Sequence, residues 1–228
     1  MKILSKWGFF LVLLVSGLAS QAQVPGGAGL NSVITKLFGT HDDFSVDSDF
    51  HILDPKMKPT VTMSLGITVS GGKMRADLDV TNMKGAGITP QMLEQYKKMG
   101  VDRSVTIVRP DKKIMILLFP TRKLYEQTPL PKEVSASAAV SKIKKTPLGK
   151  ETLDGHPCVK NKVVLEDAKG KTQEMTTWEA TDLKDFPIQV QLVDNGQNTL
   201  VHNRNIKFGK PSSSLFEVPT GYTKGYPR

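Results

Sequence analysis

Apolar and polar residues alternate strictly along "TVTMSLGITVS". Val61, Met63, Leu65, Ile67 and Val69 stand on one side, with Thr62, Ser64, Gly66, Thr68 and Ser70 on the other. A period of two predicts a β-strand with one apolar face. Gly71-Gly72 follows, and "KMRADLDVT" alternates again, placing Met74, Ala76, Leu78 and Val80 opposite Arg75, Asp77 and Asp79. Two such runs joined by Gly-Gly predict a long hairpin. Each arm spans ~30 Å at ~3.3 Å per residue, which suits a curved sheet wrapped around a large interior.

The pattern changes at "GITPQMLEQYKKMG". Thr89 is placed to cap a helix, Pro90 to occupy its first position and Gly100 to stop it, with Met92, Leu93, Tyr96 and Met99 as the apolar side. Strands resume in "SVTIVRP", "KIMILLF" and "TRKLYEQ", with Pro110-Asp111-Lys112 as a turn. The alanine- and serine-rich "PKEVSASAAVSKIKK" reads as a weak helix or a loop. Beyond Thr146 the strands expected are "LGKETL", "CVKNKVVLED", "TQEMTTWEA", "IQVQLVD", "TLVHNRNIKF" and a short final "SLFEV". Short connections between consecutive strands imply antiparallel pairing. Ahead of the hairpin, Leu30, Val33, Ile34, Leu37 and Phe38 form one helical stripe ended by Gly39.

The first residues set the compartment. "MKILSKWGFFLVLLVSGLASQAQ" has Lys2 and Lys6 before an apolar run from Trp7 to Val15, then small residues up to Ala22, the pattern of a cleaved secretory signal. The run is shorter than the ~20 residues of a membrane span. The expected organisation is therefore a signal peptide over 1–22, a lead with a short helix over 23–43, and one domain over 44–228. No cysteine immediately follows the cleavage site, so no lipid anchor is expected, and the location expected is the periplasm. The formal charge of +9 falls to +7 once Lys2 and Lys6 leave with the signal. Export turns this basic balance away from nucleic acid and toward an anionic membrane surface, a cell-wall polymer or an acidic protein, or simply toward solubility.

Candidate chemistry is sparse. The one cysteine, Cys158, follows His156 by two residues, and side chains so spaced on an extended chain point the same way ~6.5–7 Å apart without touching. His41, His51 and His202 add no ligand spacing, so no metal or other cofactor is expected. Asp154-Gly155 is a turn signal, which makes "LDGHPCVK" a hairpin corner with a buried thiol. No GxSxG, HExxH or glycine-rich phosphate loop occurs. Binding is expected in preference to catalysis, with a hydrolase of scattered catalytic residues as the remote alternative.

Several pieces carry a resemblance, in order. "GGKMRADL", "IVRPDKKIMILLFPTRKLYEQ", "LGKETLDGHPCVKNKVV", "WEATDLKDFPIQVQL" and "NIKFGKPSSSLFEVPTGY" resemble a family of exported bacterial proteins in the LolA/LolB-like superfamily of lipoprotein carriers. The resemblance implies a mainly β (α+β) fold: an antiparallel sheet curled into an open half-barrel, with a helical lid over its apolar face. It also implies a role, holding a lipid acyl chain or another hydrophobic ligand in the periplasm, and transfers no binding residue. From the pattern, the face that would line such a cavity comprises Met63, Leu65, Ile67, Met74, Leu78 and Val80. Met115, Leu117 and the body of Tyr125 are expected across it, and Trp178 as a wall. Methionine adapts to varied apolar shapes, yet the same residues would serve as ordinary core. A protein-binding envelope sensor or adaptor is the alternative function, and a monomer is expected.

Overall fold

The computed structural model describes residues 38, 41–130, 140–167, 170, 172–194 and 196–227. The expected signal peptide, the lead up to residue 40 and the helical stripe, apart from Phe38, lie outside these residues, as does segment 131–139, and β1 begins at Asp43 within the expected lead.

The alternating run is a strand, labelled β2 (Pro59–Ser70), which returns as β3 (Lys73–Asp79). Gly71 and Gly72 have φ of 53° and 76°, the positive pair that matches a tight turn to the twist of the strands. Leu65 lies opposite Leu78, Ile67 opposite Ala76 and Val69 opposite Met74. Val80, expected to continue β3, instead opens a 3-10 turn over Val80–Asn82. The Asp79 carboxylate accepts from the Thr81 amide (3.0 Å) and hydroxyl (2.5 Å), a local bond that competes with the ladder.

After the two-residue β4 (Lys84–Gly85), which pairs with β2, comes α1 (Pro90–Met99). Thr89 Oγ1 accepts from the Met92 amide (3.2 Å), and Gly100 closes the helix in the left-handed region. Met92, Leu93 and Tyr96 are half-buried, but Met99, expected to face inward, is exposed on the last turn. The strands β5 (Arg103–Arg109), β6 (Ile114–Phe119) and β7 (Leu124–Pro129) then extend the antiparallel meander.

A second meander follows: β8 (Val140–Leu153), β9 (His156–Asp167), β10 (Thr172–Ala180), β11 (Phe186–Asp194) and β12 (Gln197–Phe208). β8 starts well before Thr146. The expected loop or helix at "SKIKK" is strand, with Ile143 opposite Leu165 and Lys145 opposite Val163. Pro147 sits within it, which a sheet tolerates on an edge strand. The corner at Asp154-Gly155 is the expected two-residue turn, with φ of 51° and 82°.

The strand joining the two meanders was not evident in the sequence pattern. β1 (Asp43–Leu53) pairs with β2 on one side and β12 on the other, and with the short C-terminal strand β13 (Thr223–Lys224) the order is β13-β7-β6-β5-β3-β2-β1-β12-β11-β10-β9-β8. The sheet is open, with β8 and β13 at its ends. Every long pairing is antiparallel, and the exception is the short β13 (Thr223–Lys224), parallel to β7. Register shifts at Ser45/Asp47 on β1 and Trp178/Glu179 on β10 mark bulges, which bend strands and increase twist. The expected last strand "SLFEV" is instead a 3-10 turn, Ser213–Phe216. Side chains hold it: Arg109 Nη1 donates to the Phe216 carbonyl (3.1 Å), and Phe216 packs among Val105, Ile107, Ile116 and Leu118.

Candidate functional site: an apolar face across the sheet

Pairing fixes which side chains share a face, because residues directly opposite each other point the same way. From β1 outward, Phe44 faces Val69, Val46 faces Ile67 and Phe50 faces Met63; Met74 and Leu78 of β3 continue the row to Val108 and Ser104 of β5. In the other direction Phe50 faces Val201, Val201 faces Val190, Leu192 faces Met175, and Met175 faces Val163. Apart from Ser104, these side chains form one buried cluster running from β9 to β5.

Of the residues the sequence singled out, Met63, Leu65, Ile67, Met74, Leu78 and Val80 belong to this cluster. Met115 and Leu117 lie on the same face, opposite Val108 and Thr106; Leu117 is buried and Met115 half-buried. Tyr125 pairs with Leu118 and packs with the outer group around Phe216, on the opposite side of the sheet. Trp178 belongs to a third cluster with Cys158, Ala180 and Ile188. Its indole Nε1 donates to Glu151 Oε1 (2.5 Å), and Lys160 Nζ stands 4.7 Å from the ring centre. The sequence reading missed Phe44, Val46 and Phe50 because Ser48 interrupts their alternation. It also missed Val163, Leu165, Met175, Val190 and Leu192, whose strands were recognised without their faces being assigned.

The two ends of the face differ. At one, Phe38, Phe44 and Phe186 pack with ring centres 4.8–5.3 Å apart, and Phe208 stands 5.7 Å from Phe186. At the other, Met83 belongs to the cluster, and Ile88 and, from α1, Tyr96 pack against it. Over β12, β1, β2 and β3 the opposite side is polar. Arg204 donates to Asp49 (2.6 and 3.0 Å), Arg75 pairs with Asp77, and Ser64 donates to Asp49 (2.5 Å). The Arg204 hydrogen bond holds the Asp49 carboxyl below its ordinary value.

His156 and Cys158 do not form a reactive pair. The buried Cys158 thiol donates to the His156 carbonyl (3.4 Å), while His156 Nδ1 meets Asp182 Oδ2 at 2.8 Å. Burial pushes the thiol's pKa up, away from the thiolate a nucleophile needs. Among the described residues no group of three or more His, Cys, Asp or Glu is placed to hold a metal ion, and no helix is long and apolar enough to cross a membrane.

No family model matches the chain, and no curated protein matches it. Among solved structures it is similar to LprF from Mycobacterium bovis, 16% identical over 86% of this chain and 97% of that one, with a TM-score of 0.41. It is similar to the lipoprotein LppX from Mycobacterium tuberculosis, 13% identical over 84% and 97%, TM-score 0.43. A LolA superfamily protein from Nitrosomonas europaea is 8% identical over 85% and 98%, TM-score 0.38. At such identities and scores, what the chain does is read from its own residues.

Proposed function

We propose that this chain is a non-enzymatic periplasmic protein that binds or carries a lipid or other hydrophobic ligand against the apolar face of its sheet. One observation carries the reading: an apolar surface, interrupted by only a few polar side chains, runs from β9 to β5 on an open sheet whose other side is polar over β12, β1, β2 and β3. Methionines Met63, Met74, Met83 and Met175 lie in it, and their unbranched thioethers adapt to an irregular guest. The sheet curls about this face, and α1, through Tyr96, forms part of a helical lid. Met63, Leu65, Ile67, Met74, Leu78, Val80, Met115 and Leu117 touch the ligand. An acyl chain gains ~0.8 kcal/mol per buried methylene, so about ten methylenes supply micromolar affinity after ordering costs. In this reading residues 1–22 are a cleaved signal, the sheet is one domain over 44–228, the protein is a monomer, and its net positive charge favours approach to anionic membrane surfaces.

A second reading is favoured by one feature. Residues 142–150 of β8 are exposed throughout, at an end of the sheet, with lysines at 142, 144, 145 and 150. A basic strand edge suits an acidic protein partner, as an envelope sensor or adaptor would need. Native mass spectrometry and lipid extraction of protein released from its host's periplasm by osmotic shock separate the two. Co-purified lipid is the expected result; a stoichiometric protein with no lipid overturns the carrier reading in favour of the adaptor.

A further inference from the structure

Between β9 and β1, buried polar side chains interrupt the apolar face in two places, and their hydrogen bonding differs. On β1 and β12, Ser48 Oγ donates to Asn203 Oδ1 (2.6 Å) and Asn203 Nδ2 donates to the Pro187 carbonyl (2.7 Å). Both residues are buried and both are satisfied. Nearer the β8 edge, Lys145, Asn161, Thr177 and Glu179 share the same face: Asn161 lies opposite Thr177, and Lys145 lies opposite Val163.

Here the bonding is lopsided. Lys145 Nζ (2.7 Å) and Thr177 Oγ1 (3.0 Å) both donate to one oxygen of Glu179, Oε1. Glu179 Oε2 has no partner among the described residues. Neither has Asn161 Oδ1, and the Asn161 amide makes a single long bond, 3.5 Å to the Val159 carbonyl. Yet Glu179 is 6% exposed and Asn161 5%. Buried acceptors in native proteins are almost always paired, so two unpaired ones on one patch call for a donor.

We infer that this patch receives the hydrogen-bond-donating polar end of an amphiphile, a hydroxyl or an ammonium, whose tail lies along Val163, Leu165 and Met175. The inference rests on the hydrophobic-ligand reading above. Both open acceptors ask for a donor, and one belongs to a carboxylate. A ligand ending in a carboxylate would bring two more acceptors and a like charge to Glu179. Lys145 is already committed to Oε1 and does not relieve this. Entry is from the β8 side, where Ile143, on the same face opposite Leu165, is half exposed.

The test uses the mature full-length protein and N-phenyl-1-naphthylamine as a neutral fluorescent probe, displaced by hexadecanol, hexadecylamine, hexadecanoate or methyl hexadecanoate. The alcohol or the amine is expected to bind about tenfold more tightly than the carboxylate; which of the two leads identifies the head as hydroxyl or ammonium. Glu179→Gln and, separately, Asn161→Leu should weaken the preferred head by a similar factor and leave the methyl ester unchanged, the ester and a normal melt reporting an intact face. A carboxylate that competes as well as the donors, or a preference surviving both substitutions, overturns the donor-head inference and leaves the hydrophobic-ligand reading standing. Failure of every compound, ester included, to displace the probe overturns both.

Discussion

Arg109 holds the C-terminal segment to the sheet through the backbone carbonyl of Phe216, 107 residues away and 3.1 Å from Nη1. The same guanidinium donates to both oxygens of Asp111 (2.9 and 2.7 Å) and pairs with Glu217. Arg109 is 4% exposed, whereas the two carboxylates are about half exposed. Arg109→Met should therefore cost about 2 kcal/mol, chiefly the bonds lost at the buried guanidinium. The measurement is chemical denaturation, with proteolysis after residue 208 as a second readout; an unchanged midpoint and no new cleavage would show that Phe216 packing alone holds the segment.

The same cluster sets an acid dependence. Hydrogen bonding to Arg109 draws the Asp111 carboxyl down to about 2 and lowers that of Glu217. Groups whose folded pKa lies below the unfolded value stabilise the fold above the ordinary carboxylate range, and that contribution is lost as pH falls through the folded value. Stability should thus decline from about pH 4 toward about pH 2. In Arg109→Met the decline should be shallower, as read from melting temperatures across that window. Parallel acid limbs in the two proteins would rule out this pairing as a source of the decline.

How much of this was legible from sequence depended on whether one residue could break a pattern. The hairpin of β2 and β3 was readable because its alternation is uninterrupted and its turn is Gly-Gly. The helix was readable from Thr89, Pro90 and Gly100, all of which do what their chemistry requires. β1 escaped because Ser48 stands where an apolar residue was needed; only across the sheet does Asn203 supply its hydrogen bond. "SLFEV" has strand composition, but tertiary bonds from Arg109 and burial of Phe216 decide its conformation. The apolar face itself was half legible. The hairpin residues were assigned correctly to one side, while Tyr125 needed the register with Leu118 to place it on the other. The acceptors at Asn161 and Glu179 that have no partner among the described residues depend on contacts between strands and left no mark on the sequence.

Leu65 and Leu78 face each other across β2 and β3, both buried in the large cluster. Leu78→Ala should destabilise by about 2–3 kcal/mol if the site cannot collapse onto the space left. A thermal melt that shifts by less than a degree would mean the position is not packed as described. Addition of a bound alkyl ligand should restore part of the loss, because a ligand that binds only the folded state stabilises it by mass action.

Thr89 caps α1 with a single side-chain bond to the Met92 amide, and the helix has no fully buried residue to compensate. Thr89→Ala should cost about 1 kcal/mol, and Thr89→Ser almost nothing. Hydrogen exchange at residues 90–93 is the sensitive readout, since the first turn should fray before the sheet responds. Equal protection in the alanine and serine variants would mean that packing of Tyr96, and not the cap, holds the helix in place.

The thiol of Cys158 tests the reading of the stretch that first suggested chemistry. It is 2% exposed, packs with Trp178, Ala180 and Ile188, and donates only to a backbone carbonyl two residues away. A thiol whose pKa is raised by burial is mostly protonated at neutral pH, and the protonated form does not attack alkylating agents. Iodoacetamide should therefore label the folded protein far more slowly than the denatured chain. Cys158→Ser should retain whatever ligand binding the wild type has while losing about 1 kcal/mol of stability, because a hydroxyl replaces a buried thiol among apolar neighbours. Cys158→Ala removes the donor without adding a polar group, and should cost no more than the serine variant. A serine variant that melts normally yet no longer binds ligand would place Cys158 in the working site, and the hairpin corner would then have to be read as part of it.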